Sequence, residues 1–88
     1  MTFTVELVVR PRRGVRDPQG DAVEESLRGM GYAPKVHGVG RCLLMDLDAT
    51  SQSEAEGMVH DMCKRLLVNP NLETYDLTVV PKAPKVTE

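Results

Sequence analysis

Aromatic residues are nearly absent. Phe3, Tyr32 and Tyr75 are the whole set in 88 residues, and there is no tryptophan. The core must therefore be built from Val, Leu, Met and Ala. The shortage also argues against RNA recognition on an open sheet face, which relies on rings that stack on bases. Cysteine is scarce as well: Cys42 and Cys63 stand alone, and no Cys-x-x-Cys exists to serve a metal chaperone. No basic start followed by an apolar block marks the N-terminus, so no secretory signal is read. Reduced cysteines and a cytoplasmic location are the expectation. No apolar run is long enough to span a bilayer, so no membrane partner is expected. Neither sign of charge dominates. Lys and Arg number 11 against 13 Asp and Glu, for a net charge of −2. A mildly acidic chain is not a general polyanion binder, and no nucleic-acid partner is expected.

Catalytic patterns are missing too. His37 and His60 are the only histidines. His60 and Cys63 fall one helical turn apart, but two ligands do not make a zinc site. There is no phosphate loop of Walker type and no nucleophile elbow. Asp46 and Asp48 share one strand face, where exposed carboxylates are ordinary. The methionines fall mostly at core spacing and read as filler. No catalytic residue, metal ligand or bound cofactor is expected of this chain.

What is present is a dense junction, Gly14 to Val23. Asp17 can cap a helix by accepting from the free amides of its first turn. Pro18 follows at the first helical position, where its missing N–H costs nothing. Asp21 places negative charge near the positive end of the helix dipole. Gly20 is a poor helix former and lies near the face of Val23 and Leu27, so a close backbone approach is its expected reason. Arg10, Arg12, Arg13 and Arg16 crowd the approach. They read either as a solvated loop or as an anion or partner site.

Residues 2–10 alternate, with Phe3, Val5, Leu7 and Val9 on one face, as in a half-buried strand ended by Pro11. Val23, Leu27 and Met30 mark a helix over 18–30, stopped by Gly31. Lys35 to Val39 reads as a weak strand, with a turn or bulge at Gly40. Residues 41–49 form a stronger strand with Leu43, Met45 and Leu47 on one face. Ser51 with Glu54, and Ser53 with Glu56, both fit a capping box. The helix that follows carries Ala55, Met58, Val59, Met62 and Leu66 as its stripe, with Leu67 off it. Asn69-Pro70-Asn71 ends that helix. Residues 73–80 form the last strand.

The order is β-α-β-β-α-β with a short second strand. It predicts an α+β, ferredoxin-like sandwich, two helices on one face of a mainly antiparallel sheet. A single domain over 1–81 and a loose tail over 82–88 are expected. Val8, Leu44 and Val80 give the outer sheet face an apolar character that suits a homo-oligomer interface, in a dimer or tetramer.

Two stretches are specific when taken together. Gly14-Val15-Arg16-Asp17-Pro18-Gln19-Gly20 through Ala22-Val23 resembles the GVLDPQG…AV signature of the PurS family. Met62 through Tyr75 resembles that family's MCEKLLANPVIEDY, and Gly40-Arg41 matches its Gly-Lys pair. The resemblance runs nearly the whole length, in order. Departures are local. Arg16 replaces an apolar residue, Arg12 a lysine and Cys42 an aromatic, and Gly38 falls where an arginine precedes the Gly-Lys pair.

The resemblance implies the small subunit of phosphoribosylformylglycinamidine (FGAM) synthase, in purine biosynthesis. It implies no catalytic residue in this chain, with ATP and Mg used by a PurL-type synthetase fed with ammonia by a PurQ-type glutaminase. Docking candidates are Arg12, Arg16, Asp17, Gln19 and Gly20, with Arg41, Asn69 and Glu73 carried over from the motifs. A stand-alone regulatory or ligand-sensing module is the alternative.

Overall fold

The computed structural model describes residues 1–82. Three strands form one antiparallel sheet: β1 (Thr2–Pro11), β2 (Arg41–Asp48) and β3 (Glu73–Pro81), in the order β2-β1-β3. Helix α1 spans Pro18–Gly29 and helix α2 spans Gln52–Met62, continued by a π-helical turn over Cys63–Leu67. The class is α+β, with two helices and an antiparallel sheet, as expected.

Strand β1 is central because it alternates most strictly. Phe3, Val5, Leu7 and Val9 are all but fully buried. They meet Ala55, Val59 and Cys63 from the α2 side and Val79 of β3. Both neighbours pair with β1 along almost its whole length, Val5 opposite Met45 on one side and Val79 on the other. Leu43, Met45, Leu47, Tyr75 and Leu77 share that face and are half-buried.

The helix ends follow the capping signals. Asp17 Oδ1 accepts from Gln19 N at 3.2 Å. Gly31 takes φ +97°, and the amides of Gly31 and Tyr32 close on the Arg28 and Leu27 carbonyls. Of the two capping frames, the Ser51 frame forms: Glu54 N donates to Ser51 Oγ at 3.1 Å. Glu54 reaches back to Thr50, whose hydroxyl donates at 2.6 Å.

Several expectations are corrected. Lys35 to Val39 forms no strand. Two of its amides are taken by carboxylates at α1: Val36 N donates to Glu24 Oε1 and Val39 N to Asp17 Oδ2, each at 2.7 Å. With those donors committed to side chains, no regular run of amides is left for a ladder. The bond from Val36 also holds the Glu24 carboxyl below the usual carboxylate range, helped by Lys35 and Arg28. Helix α1 does not lie on the sheet. Gly20 is its only buried residue, and Val23, Met30 and Tyr32 are exposed. Helix α1 and the segment 35–39 thus make an arm beside the sheet. The Cα radius of gyration is accordingly 17.0 Å, against about 12 Å for a compact chain of this length.

Leu66, expected in the α2 stripe, is 82% exposed, while Cys63 is buried. The π-turn is the cause of the first. Cys63 continues the buried row of Ala55 and Val59 one turn on, and the wider winding after it turns Leu67 toward the core and swings Leu66 out. Lys82, counted above with the tail, is held: its amide donates to the Thr2 carbonyl at 2.9 Å and its ammonium to Asp46 at 2.6 Å. The rest of that tail expectation lies outside the described residues.

Candidate partner-docking site

The expected docking residues converge at one end of the sheet. Strand β1 leaves the sheet at Pro11, the arm returns at Arg41, and β3 begins at Glu73. Val9 pairs with Arg41 and Pro11 with Glu73, so by strand alternation both charged side chains sit on the helix-facing side. There they reach across the end of β1. Arg41 donates to both Glu73 carboxylate oxygens, at 2.6 and 3.1 Å, and to the Leu67 carbonyl at 2.5 Å. Glu73 also accepts from Asn69 N at 2.9 Å. One guanidinium thereby joins β2, β3 and the end of the π-turn.

Arg41 lowers the Glu73 carboxyl below the usual glutamate range, and the Asn69 amide adds to it. The same contact raises Arg41 above its already high value. The turn between them is closed by its own bonds. Asn69 Oδ1 accepts from Asn71 N at 3.1 Å, and the Asn69 carbonyl accepts from Glu73 N at 2.7 Å. Arg12 stitches the β1–α1 loop to this turn: its amide donates to Leu72 O at 2.8 Å and its Nε to Pro70 O at 2.9 Å.

Gly20 explains how the arm fits. A Cβ there would stand 3.1 Å from both Asp17 Oδ2 and the Gly38 Cα. The close approach expected for Gly20 is therefore to the segment 35–39, which lets Asp17 serve the helix cap and Val39 N at once. Arg16, 85% exposed, makes only a long contact of 3.4 Å to Asp21.

Between the arm and the turn lies an open cleft of about 470 Å³. Arg16, Asp17, Gln19, Arg41, Asn69 and Glu73 line it, with Pro11, Val15, Pro18, Val39 and Leu72 as its apolar parts. Arg12 stands beside it and Gly20 behind Asp17. The eight candidates thus form one surface with two kinds of member. Asp17, Gly20, Arg41, Asn69 and Glu73 build it, because their polar groups or contacts are internal. Arg16 and Gln19 present free donors, and Arg12 does both, its Nε tied to Pro70 O while its terminal nitrogens make no hydrogen bond among the described residues. The Arg41–Glu73 pairing, 32 residues apart, was missed by sequence reasoning. No local signal marks it, since it follows from both strands pairing with β1.

Val8, Leu44 and Val80 lie elsewhere, on the outer sheet face, with Leu44 74% exposed. His60 and Cys63 make no metal pair. His60 Nδ1 meets the Tyr75 hydroxyl at 2.5 Å, while burial pushes the Cys63 thiol up. Among the described residues no group of three His, Cys, Asp or Glu is placed to hold a metal ion.

A small α+β chain with an open, donor-rich end and an exposed apolar arm is built as a subunit, a part that completes itself against other chains. Comparison gives the particular family. The family model PurS, phosphoribosylformylglycinamidine (FGAM) synthase, matches residues 4–81, and the chain belongs to this family. The PurS subunit of Methanothermobacter thermautotrophicus is 32% identical over 79 residues, covering 90% of this chain and 94% of the relative. That of Archaeoglobus fulgidus is 34% identical over 74 residues, covering 82% and 91%. The solved structure of PurLQS from Thermotoga maritima contains a chain that superposes with a TM-score of 0.81 at 31% identity, covering 91% of this chain and 99% of that one.

The Arg41–Glu73 pair makes a pH-dependent contribution to stability. The folded-state Glu73 carboxyl titrates below its ordinary range, so its contribution is full above that range and is lost as pH falls through the depressed value. Arg41 is half exposed, so solvent screening holds the contribution to about 1 kcal/mol. Thermal unfolding of Glu73→Gln should therefore lie below wild type at pH 7, and the two should converge in acid. A gap that persists unchanged into acid would remove the pair as its source.

Proposed function

We propose that this chain is the non-catalytic small subunit of FGAM synthase in purine biosynthesis. It joins a PurQ-type glutaminase to a PurL-type synthetase. Family membership over residues 4–81, with a fold shared by a chain of the PurLQS structure, carries the reading. The glutaminase releases ammonia from glutamine. The synthetase uses it with ATP and Mg to convert formylglycinamide ribonucleotide to the amidine. The small chain contributes geometry, by keeping the two larger subunits together. The absence of a membrane-spanning helix among the described residues is compatible with a cytoplasmic place beside them.

The end of the sheet suits docking on physical grounds. Its frame is held internally, so little order is lost when a partner arrives. Its free groups are arginine forks, which pair bidentately with carboxylates. Arg16 at the rim should matter modestly, and an arginine that becomes buried in a pair should cost about 2–5 kcal/mol on truncation. Arg12→Ala with Arg16→Ala should weaken assembly and leave the fold intact. Titration of the double mutant into the glutaminase–synthetase pair, followed by amidine synthesis, reads this as a raised half-saturation. An unchanged value would leave the cleft as structure alone.

Self-association is the second part of the proposal. Two apolar surfaces support it. One is the outer face of Val8, Leu44 and Val80. The other is the pair of unmatched surfaces on the core side, the α1 stripe and an apolar groove of about 360 Å³ at Met45, Met62 and Leu66. Covering one large side chain contributes about 1.5–3 kcal/mol. Leu44→Asp should shift sedimentation toward monomer. A mutant that assembles as wild type would take the outer face out of the interface.

A further inference from the structure

A second cleft, about 490 Å³, opens on the other side of the segment 35–40. The segment is extended, so Val39 lines the docking cleft while Gly38 and Gly40 line this one. Its side-chain lining is Arg10, Arg13, His37 and Pro11, and it includes no acidic side chain. In a chain with more acids than bases, that is a local reversal of charge. Arg13 is exposed and makes no ion pair among the described residues. Arg10 is anchored by Asp76 on β3. Both partners are more than half exposed, so Arg10 keeps donors for a ligand.

We infer that this cleft is a binding site for a small sugar phosphate. Arginine forks match the geometry of a phosphate, and His37 supplies a further N–H in either protonation state. A phosphate monoester carries about −1.5 to −2 charge at neutral pH, which suits two guanidinium groups. The size argues for more than a bare anion, since a water occupies only about 30 Å³. No Phe, Tyr or Trp ring lines the cleft, so a base would find only the His37 imidazole and the two guanidinium planes to stack on, and these are the groups a phosphate takes. The Pro11 ring instead offers one flat apolar face to a sugar. Gly38 and Gly40 hold this wall of the cleft close against the end of β1, since a Cβ at 38 would meet the Pro11 ring and one at 40 the Val9 carbonyl.

The test uses the full chain without partners, so its outcome is independent of the docking proposal. Ribose 5-phosphate, ribose and inorganic phosphate are titrated at constant ionic strength, with calorimetry and amide spectra as readouts. Ribose 5-phosphate should saturate and shift the amides of Gly14, Gly38 and Gly40. Ribose should do neither, and inorganic phosphate should bind about tenfold more weakly or worse. Arg13→Ala should weaken ribose 5-phosphate by about tenfold or more at unchanged melting temperature, and Arg13→Lys should recover part of the loss. Absence of saturable binding would overturn the assignment. So would equal binding of inorganic phosphate, or wild-type binding by Arg13→Ala.

Discussion

The Arg41 guanidinium holds together three pieces of chain that the sheet alone leaves separate. Strands β2 and β3 share no ladder, since β1 lies between them. Beyond Val9 the buried core ends, and within the turn at 69–73 Leu72 is half exposed. Arg41 fixes the turn by donating to Glu73 and to the Leu67 carbonyl. An apolar residue at 41 would leave the Leu67 carbonyl without this donor and the Glu73 carboxylate with the Asn69 amide alone, and a polar group left unpaired costs more than the net value of the bond it made. Arg12, the Asn69 turn and Asp17 are placed relative to this frame.

The second constraint is how little core there is. One helix covers the sheet, and α1 contributes nothing to the buried cluster. Asp17 and Glu24 hold the segment 35–39 against α1, in place of the hairpin that would have brought α1 back over β2. The arm is thus a specified structure whose apolar residues Val23 and Met30 stay exposed. Both charged clefts are open at the end of the sheet where the arm departs.

Much of this was legible in the sequence. The alternation of Phe3, Val5, Leu7 and Val9 marks a central strand because the outward residues between them, Val8 apart, are polar. Asp17, Gly31 and Ser51 mark helix ends because the bonds they make are local. The same locality explains the failures. Val36 and Val39 are β-formers, but nothing nearby in sequence shows that carboxylates at 24 and 17 would take their amides. Leu66 fits a regular helical stripe, and a π-turn is invisible to a 3.6-residue period. Arg12, Arg16 and the capped turn at 17–20 were singled out from their own chemistry, and Arg41, Asn69 and Glu73 from family motifs; their convergence is tertiary. Only the structure separates those that build the surface from those that are free to bind.

Hydrogen exchange on this chain, alone and within the reconstituted complex of glutaminase and synthetase, tests the central claim most directly. The account predicts that partners slow exchange at residues 12–20 and 69–73, the two lips of the docking cleft. Amides of β1, already slow, should change little. Protection elsewhere, with those two stretches exchanging as in the free chain, would contradict it.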